Sequence, residues 1–115
     1  MDEKWNIVYY ETTLGKSPVF NFIQSLNVQA QNKIAEVLDL LEEHGVLLGP
    51  PHSKKLTGTP LWELRMLGNN NIRIFYITII HRKFLLLHGF QKKKQKTDFK
   101  EIKTAIARLN DFKSR

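Results

Sequence analysis

Glu63 and Arg65 stand two residues apart in Trp62-Glu63-Leu64-Arg65-Met66, and Arg73 interrupts the apolar run Ile72-Arg73-Ile74-Phe75-Tyr76-Ile77. His88, Phe90 and Lys92 repeat at the same spacing of two. Side chains alternate along a strand, so residues i and i+2 share a face. A sheet built from these segments can therefore gather Arg65, Arg73, His88 and Lys92 on one surface, with Glu63 beside them. Guanidinium groups grip phosphate through a planar fork of donors. When an RNA 2′-hydroxyl attacks the neighbouring phosphorus, negative charge builds on the phosphoryl oxygens, and fixed cations stabilise it without a metal. A proton acceptor and a proton donor complete such a site. Glu63 suits the first role and His88 or a lysine the second, while Phe90 or Tyr76 offers a ring for a base to stack on.

Each residue also has an ordinary structural use. Glu63 and Arg65 on one face make a surface ion pair of little energetic weight. His88 in an apolar strand suits a hydrogen-bonded, half-buried histidine, and Phe90 suits the core. Arg73 is different, because a cation inside an apolar strand costs several kcal/mol to desolvate unless it is paired or open to a ligand, on the order of the penalty for any buried charge.

Charge is divided unevenly along the chain. Up to Pro50, seven acidic residues face three lysines, a net −4; from Pro51, fifteen basic residues face four acidic ones, a net +11. Lys92, Lys93, Lys94 and Lys96 form a dense group at the end of an apolar run, and Lys54 and Lys55 add to the basic half. A localised excess of this kind fits a phosphate backbone.

Other chemistries find little support. There is no cysteine, which excludes disulfides and thiolate metal sites and fits a reducing cytoplasm. His44, His52, His81 and His88 lack metal-ligand spacing, and no P-loop, dinucleotide or G-x-S-x-G motif is present. No cofactor is expected. Met1-Asp2-Glu3-Lys4-Trp5 lacks the cationic start and apolar core of a signal peptide. The apolar stretch 72–90 is broken by Arg73, His81, Arg82 and Lys83, so two strands with a charged turn explain it better than a membrane span.

The elements that would position these residues follow from periodicity. The 115 residues suit one domain, 1–115. Alternating aromatic and β-branched residues predict a strand over 4–12. Ser17-Pro18 opens a short helix to about Leu26. Asn27 caps a second helix with an apolar stripe at Ala30, Ile34, Val37, Leu38 and Leu41, ended by Gly45 in the left-handed conformation. A loop runs to Pro60. Strands at 61–67, 72–80 and 84–91 follow, joined by turns at Gly68-Asn69-Asn70 and His81-Arg82-Lys83. Asp98 and Glu101 make a capping box for a last helix with Ile102, Ala105, Ile106, Leu109 and Phe112 as its stripe. The predicted order is β-α-α-β-β-β-α: an α+β, two-layer domain whose antiparallel sheet packs on a helical hairpin and leaves its other face partly open.

Three segments then resemble a known family. They are Leu56-Thr57-Gly58-Thr59-Pro60-Leu61-Trp62-Glu63-Leu64-Arg65, Ile72-Arg73-Ile74-Phe75-Tyr76, and Leu87-His88-Gly89-Phe90-Gln91-Lys92-Lys93-Lys94-Gln95-Lys96-Thr97, with Glu101-Ile102 and residues 105–108 beyond. In that order they are similar to the RelE/ParE superfamily of toxins, most of all its HigB-type branch found also in phages. The resemblance implies the toxin of a bacterial toxin–antitoxin pair that cleaves mRNA on the ribosome without a metal. It matches Arg65 and Arg73 to the family's basic residues and Lys92, Lys93, Lys94 and Lys96 to its basic group after the last strand. Glu63 stands where some members carry lysine, and the last helix lacks the tyrosine that some relatives use. The implied partners are a helix-turn-helix antitoxin forming a hetero-oligomer, the ribosome and mRNA. Relatives of the ParE type share the fold and inhibit gyrase by protein binding, and a nucleic-acid-binding module without catalysis is the third reading, because fold alone does not decide function.

Overall fold

Asn27 begins the longest helix: its side-chain oxygen accepts the Ala30 N–H at 2.8 Å, the expected cap. The computed structural model describes residues 4–68 and 70–115. Met1, Asp2 and Glu3, and Asn69 of the predicted turn, lie outside the described residues. In chain order the elements are β1 (Asn6–Tyr9), α1 (Pro18–Gln24), α2 (Val28–His44), a 3-10 turn at Gly45–Leu47, β2 (Ser53–Lys55), β3 (Trp62–Met66), β4 (Ile72–Ile79), β5 (Lys83–Gln91) and α3 (Phe99–Lys113).

The α+β class, the helical hairpin and the C-terminal helix are as predicted, but the sheet differs in two ways. It has five strands in the order β1-β5-β4-β3-β2, and it is mixed rather than wholly antiparallel. β2 went unpredicted because three residues are too few to show alternation; it pairs antiparallel with β3. β1 is shorter than its alternating run and pairs parallel with β5, which the chain reaches only after the hairpin and three other strands.

Helices cover both faces. Ile34, Val37 and Leu41 of α2 and Val19 and Ile23 of α1 pack on Leu64, Met66, Ile74, Tyr76, Phe84 and Leu86. Ala105 and Leu109 of α3 pack on Leu61, Phe75, Leu85, Leu87 and Phe90 on the opposite side. α3 thus covers the β5 and β4 part of the second face, while Lys54 and Arg65 on β2 and β3 keep access to solvent.

Local irregularities place the site residues. Phe75 pairs with His88 but Tyr76 with Leu86, so Leu87 is an extra residue, a β-bulge. Strict alternation from Phe84 and Leu86 would carry His88 and Phe90 to the hairpin side; the bulge turns both toward α3. The connection from β4 to β5 contains His81 and Arg82, both at positive φ, 63° and 57°. Gly45 has φ 59° but ψ −136°, outside the left-handed helical well that was expected, in a region open to glycine. Asp98 caps α3 through the Lys100 N–H at 3.1 Å. Glu101 does not close the capping box; its carboxylate bonds His88 instead.

Candidate phosphate site beneath helix α3

Two rungs of the sheet carry the site. In one, Arg65 of β3 lies opposite Arg73 of β4, which lies opposite Phe90 of β5. In the next rung on the same face, two positions along, Lys54, Glu63, Phe75 and His88 run across β2, β3, β4 and β5. Glu63 was read as outward, but it is 5 % exposed, and Arg73 4 %. The Arg65 side chain keeps 29 % of its surface.

Glu63 serves both arginines. Its Oε1 lies 3.3 Å from Arg65 Nε and 3.7 Å from Arg73 Nε. Neither contact has hydrogen-bond geometry, and among the described residues both buried Nε–H groups lack an acceptor. Arg73 Nη1 donates to the carbonyl of Ile72 at 3.0 Å. Burial lowers the Arg73 pKa; Glu63 opposes that shift and the like charge of Arg65 adds to it. Two guanidinium groups share one carboxylate, an arrangement short of negative charge and of acceptors. A phosphate oxygen supplies both.

His88 is held at both ring nitrogens. Arg108 Nη1 donates to Nδ1 at 3.1 Å and to the Leu87 carbonyl at 2.9 Å. An arginine only donates, so Nδ1 is the unprotonated nitrogen and Nε2–H donates to Glu101 Oε1 at 2.9 Å. Burial lowers the His88 pKa most strongly, opposed by the hydrogen bond to Glu101 and aided by Arg108. Phe90 is 6 % exposed, stacked on His88 at 5.5 Å and packed on Phe75 at 5.1 Å, so its ring belongs to the core. Tyr76 points to the hairpin side, 3 % exposed, with its hydroxyl bonded to Ser53 Oγ, and offers no stacking surface.

The lysines separate. Lys92 directly follows β5, two residues beyond Phe90, its N–H donating to the Asn71 carbonyl and its carbonyl accepting from Asn71 Nδ2. Lys54 sits exposed beside Glu63, whereas Lys55 pairs with Trp62 and bonds the Thr59 carbonyl. Lys93, Lys94 and Lys96 line a cavity of about 490 Å³ past the end of β5, whose wall also includes Lys92, His88 and Glu101. Sequence reasoning missed Arg108 and the use of Glu101. They lie seven residues apart with Ala105 between, one helix face, and only the apolar members of that face were read.

Among the described residues no three His, Asp or Glu come together as a cation site. No described helix is long and apolar enough to cross a membrane.

The comparison with family models returns Phage derived protein Gp49-like (DUF891), matched over residues 21–110. The chain belongs to this family. The match runs from within α1 through most of α3 and so contains every residue of the two rungs. The Gp49-like family sits in the RelE-like group of toxin–antitoxin toxins, which makes this a toxin-type domain and implies an antitoxin partner. No curated protein matches the chain.

Proposed function

We propose that this Gp49-like protein is the toxin of a toxin–antitoxin pair and, like the HigB-type branch, cuts mRNA on the ribosome by attack of the 2′-hydroxyl. The observation that carries the reading is the opposed pair Arg65 and Arg73, two guanidinium groups on one carboxylate with both Nε–H groups free of acceptors among the described residues. Arg65, the more exposed, touches the scissile phosphate. Arg73 adds its charge from behind, in a water-poor setting where electrostatic stabilisation is strong. Glu63 keeps the two cations apart and aligned. His88 and Glu101 spend their polar atoms on each other and on Arg108, so they hold α3 over the site. Proton transfer falls to the rim lysines, Lys54 and Lys92. Lys93, Lys94 and Lys96 raise the attraction for RNA. No cofactor takes part, the setting is the cytoplasm, and a helix-turn-helix antitoxin forms the hetero-oligomer.

The experiment is mapping of mRNA 5′ ends after brief induction of the parent, Arg65→Ala or Arg73→Ala. The parent produces cuts inside translated codons that vanish when translation is blocked. Loss of either arginine lowers cutting by about 100-fold, as removal of one anion-stabilising donor does in other enzymes. Growth arrest without cuts would replace this reading with gyrase inhibition.

A further inference from the structure

The cavity past the end of β5 holds more than a phosphate-binding surface needs. Its volume, about 490 Å³, lies within the range of small-ligand sites. Five lysines between 92 and 100 stand in its wall, but so do the Phe22 ring and the Asp98 carboxylate. A ring gives little to a phosphate, and a carboxylate repels one. His88 and Phe90, the β5 members of the two rungs, also lie in the wall. Phe90 pairs with Arg73, so the cavity begins one strand, about 5 Å, from the proposed phosphate contact.

Both extra groups are set in place by their surroundings. Phe22 of α1 is half-buried and seated on Gly89, so closely that a Cβ there would stand 2.7 Å from the ring. Asp98 caps α3 with Oδ1, which accepts the Lys100 N–H at 3.1 Å. Its Oδ2 lies 4.0 Å from the Lys94 ammonium, the limit of an ion pair, and can still accept a nearer donor. Glu101, the other carboxylate of the wall, is committed to His88. Of the five lysines only Lys94 has a carboxylate at ion-pair distance among the described residues.

A ring, an anionic acceptor and several cationic donors around one space suit a nucleobase. Unpaired bases of RNA are recognised by stacking on aromatic side chains and by hydrogen bonds to their edges. Uracil offers one edge donor, and adenine and cytosine one amino group each. Guanine sets two neighbouring donors, N1–H and N2–H, for a carboxylate and two neighbouring acceptors, O6 and N7, for lysines. We propose that the cavity receives one unpaired base of the bound RNA, guanine above the others, stacked on Phe22 with its donors on Asp98 and its acceptors on the lysine rim. The inference rests on the RNA reading of the site and adds to it a base preference beside the cut.

The test titrates isotope-labelled full chain with 2′-O-methyl pentanucleotides, which have no 2′-hydroxyl to attack: one with a central guanine among uridines, the other all uridine. Amide shifts at Gly89, Gln91 and Lys92 report on the cavity. The guanine oligonucleotide should bind about tenfold more tightly, the gain from one well-paired base edge. Phe22→Leu, folded by circular dichroism, should weaken that binding by about tenfold, the loss of one base–ring stack, and the all-uridine binding by less. Asp98→Asn keeps the helix cap, since asparagine caps as well as aspartate, and should bring the two affinities within about twofold of each other. Equal affinities with the parent chain, or an unchanged guanine preference in both variants, would overturn the proposal. Guanosine 5′-monophosphate binding as tightly as the oligonucleotide would also overturn it, giving the cavity to a free nucleotide. None of these outcomes depends on cutting: guanine-selective binding without cuts in cells would remove the nuclease reading and leave the base pocket standing.

Discussion

Arg65 and Arg73 face each other directly across β3 and β4, two cations in one rung of the sheet. Like charges so placed destabilise strand pairing. What makes the rung tolerable is Glu63, two positions along β3 on the same face, one oxygen of which lies within 3.7 Å of both Nε atoms. The cluster holds two positive charges against a single carboxylate, and its stability depends on that carboxylate.

Removing that carboxylate should therefore be expensive. Glu63→Gln keeps the shape but leaves the buried Arg73 and the half-buried Arg65 without a counter-ion, a change expected to cost about 3 kcal/mol. Replacing Arg73 by Met in the same chain removes the orphaned charge and should recover more than half of the loss, since apolar groups often substitute well for buried ions. Urea denaturation of the parent, Glu63→Gln and Glu63→Gln/Arg73→Met measures both steps. A single variant as stable as the parent would mean that Glu63 is not the counter-ion.

The parts of this site legible in the sequence were those set by alternation within one strand. Glu63 and Arg65 on one side of β3 with Leu64 and Met66 on the other, and Arg73 as an anomalous cation, all read correctly from spacing. The α2 stripe and its Asn27 cap were equally plain, because periodicity over 17 residues is a strong signal. What failed to show was whatever depends on a second segment. Glu63 meets Arg73 only because β3 and β4 pair, and Glu101 and Arg108 reach His88 from α3, far along the chain. The Leu87 bulge is a single extra residue inside an apolar run, with nothing in its composition to mark it. The short β2 and the parallel pairing of β1 belong to topology rather than to local pattern.

The His88 latch makes the fold sensitive to acid. With Nδ1 accepting from Arg108, protonation there breaks the bond, and burial already lowers the His88 pKa in the folded state. The unfolded chain, with an ordinary value near 6.5, then binds the proton more readily. The latch's stabilisation is complete above that value and drains away as pH falls from it toward the lower folded value. Urea midpoints should drop between about pH 7.5 and about pH 5.5 by more in the parent than in His88→Gln, which still donates and accepts but does not titrate. Equal drops would show that His88 contributes nothing to acid sensitivity.

Gly45 joins the hairpin to the N-terminal strand through a contact no other residue fits. A Cβ there would lie 2.2 Å from Trp5 Nε1, and the backbone is at φ 59°. The indole has little room to yield: it stacks on Phe84 at 4.6 Å and carries the Arg82 guanidinium at 4.9 Å, while the backbone N–H of Trp5 donates to the Glu42 carbonyl at 2.9 Å. Gly45→Ala should thus cost about 3 kcal/mol, combining roughly 1 kcal/mol for positive φ with overpacking against the ring. In a Trp5→Leu background the overpacking disappears and only the backbone part should remain, about 1 kcal/mol. The two urea-derived differences therefore separate the mechanisms. An equal loss in both backgrounds would place the whole cost in the backbone and leave Trp5 without a part in it.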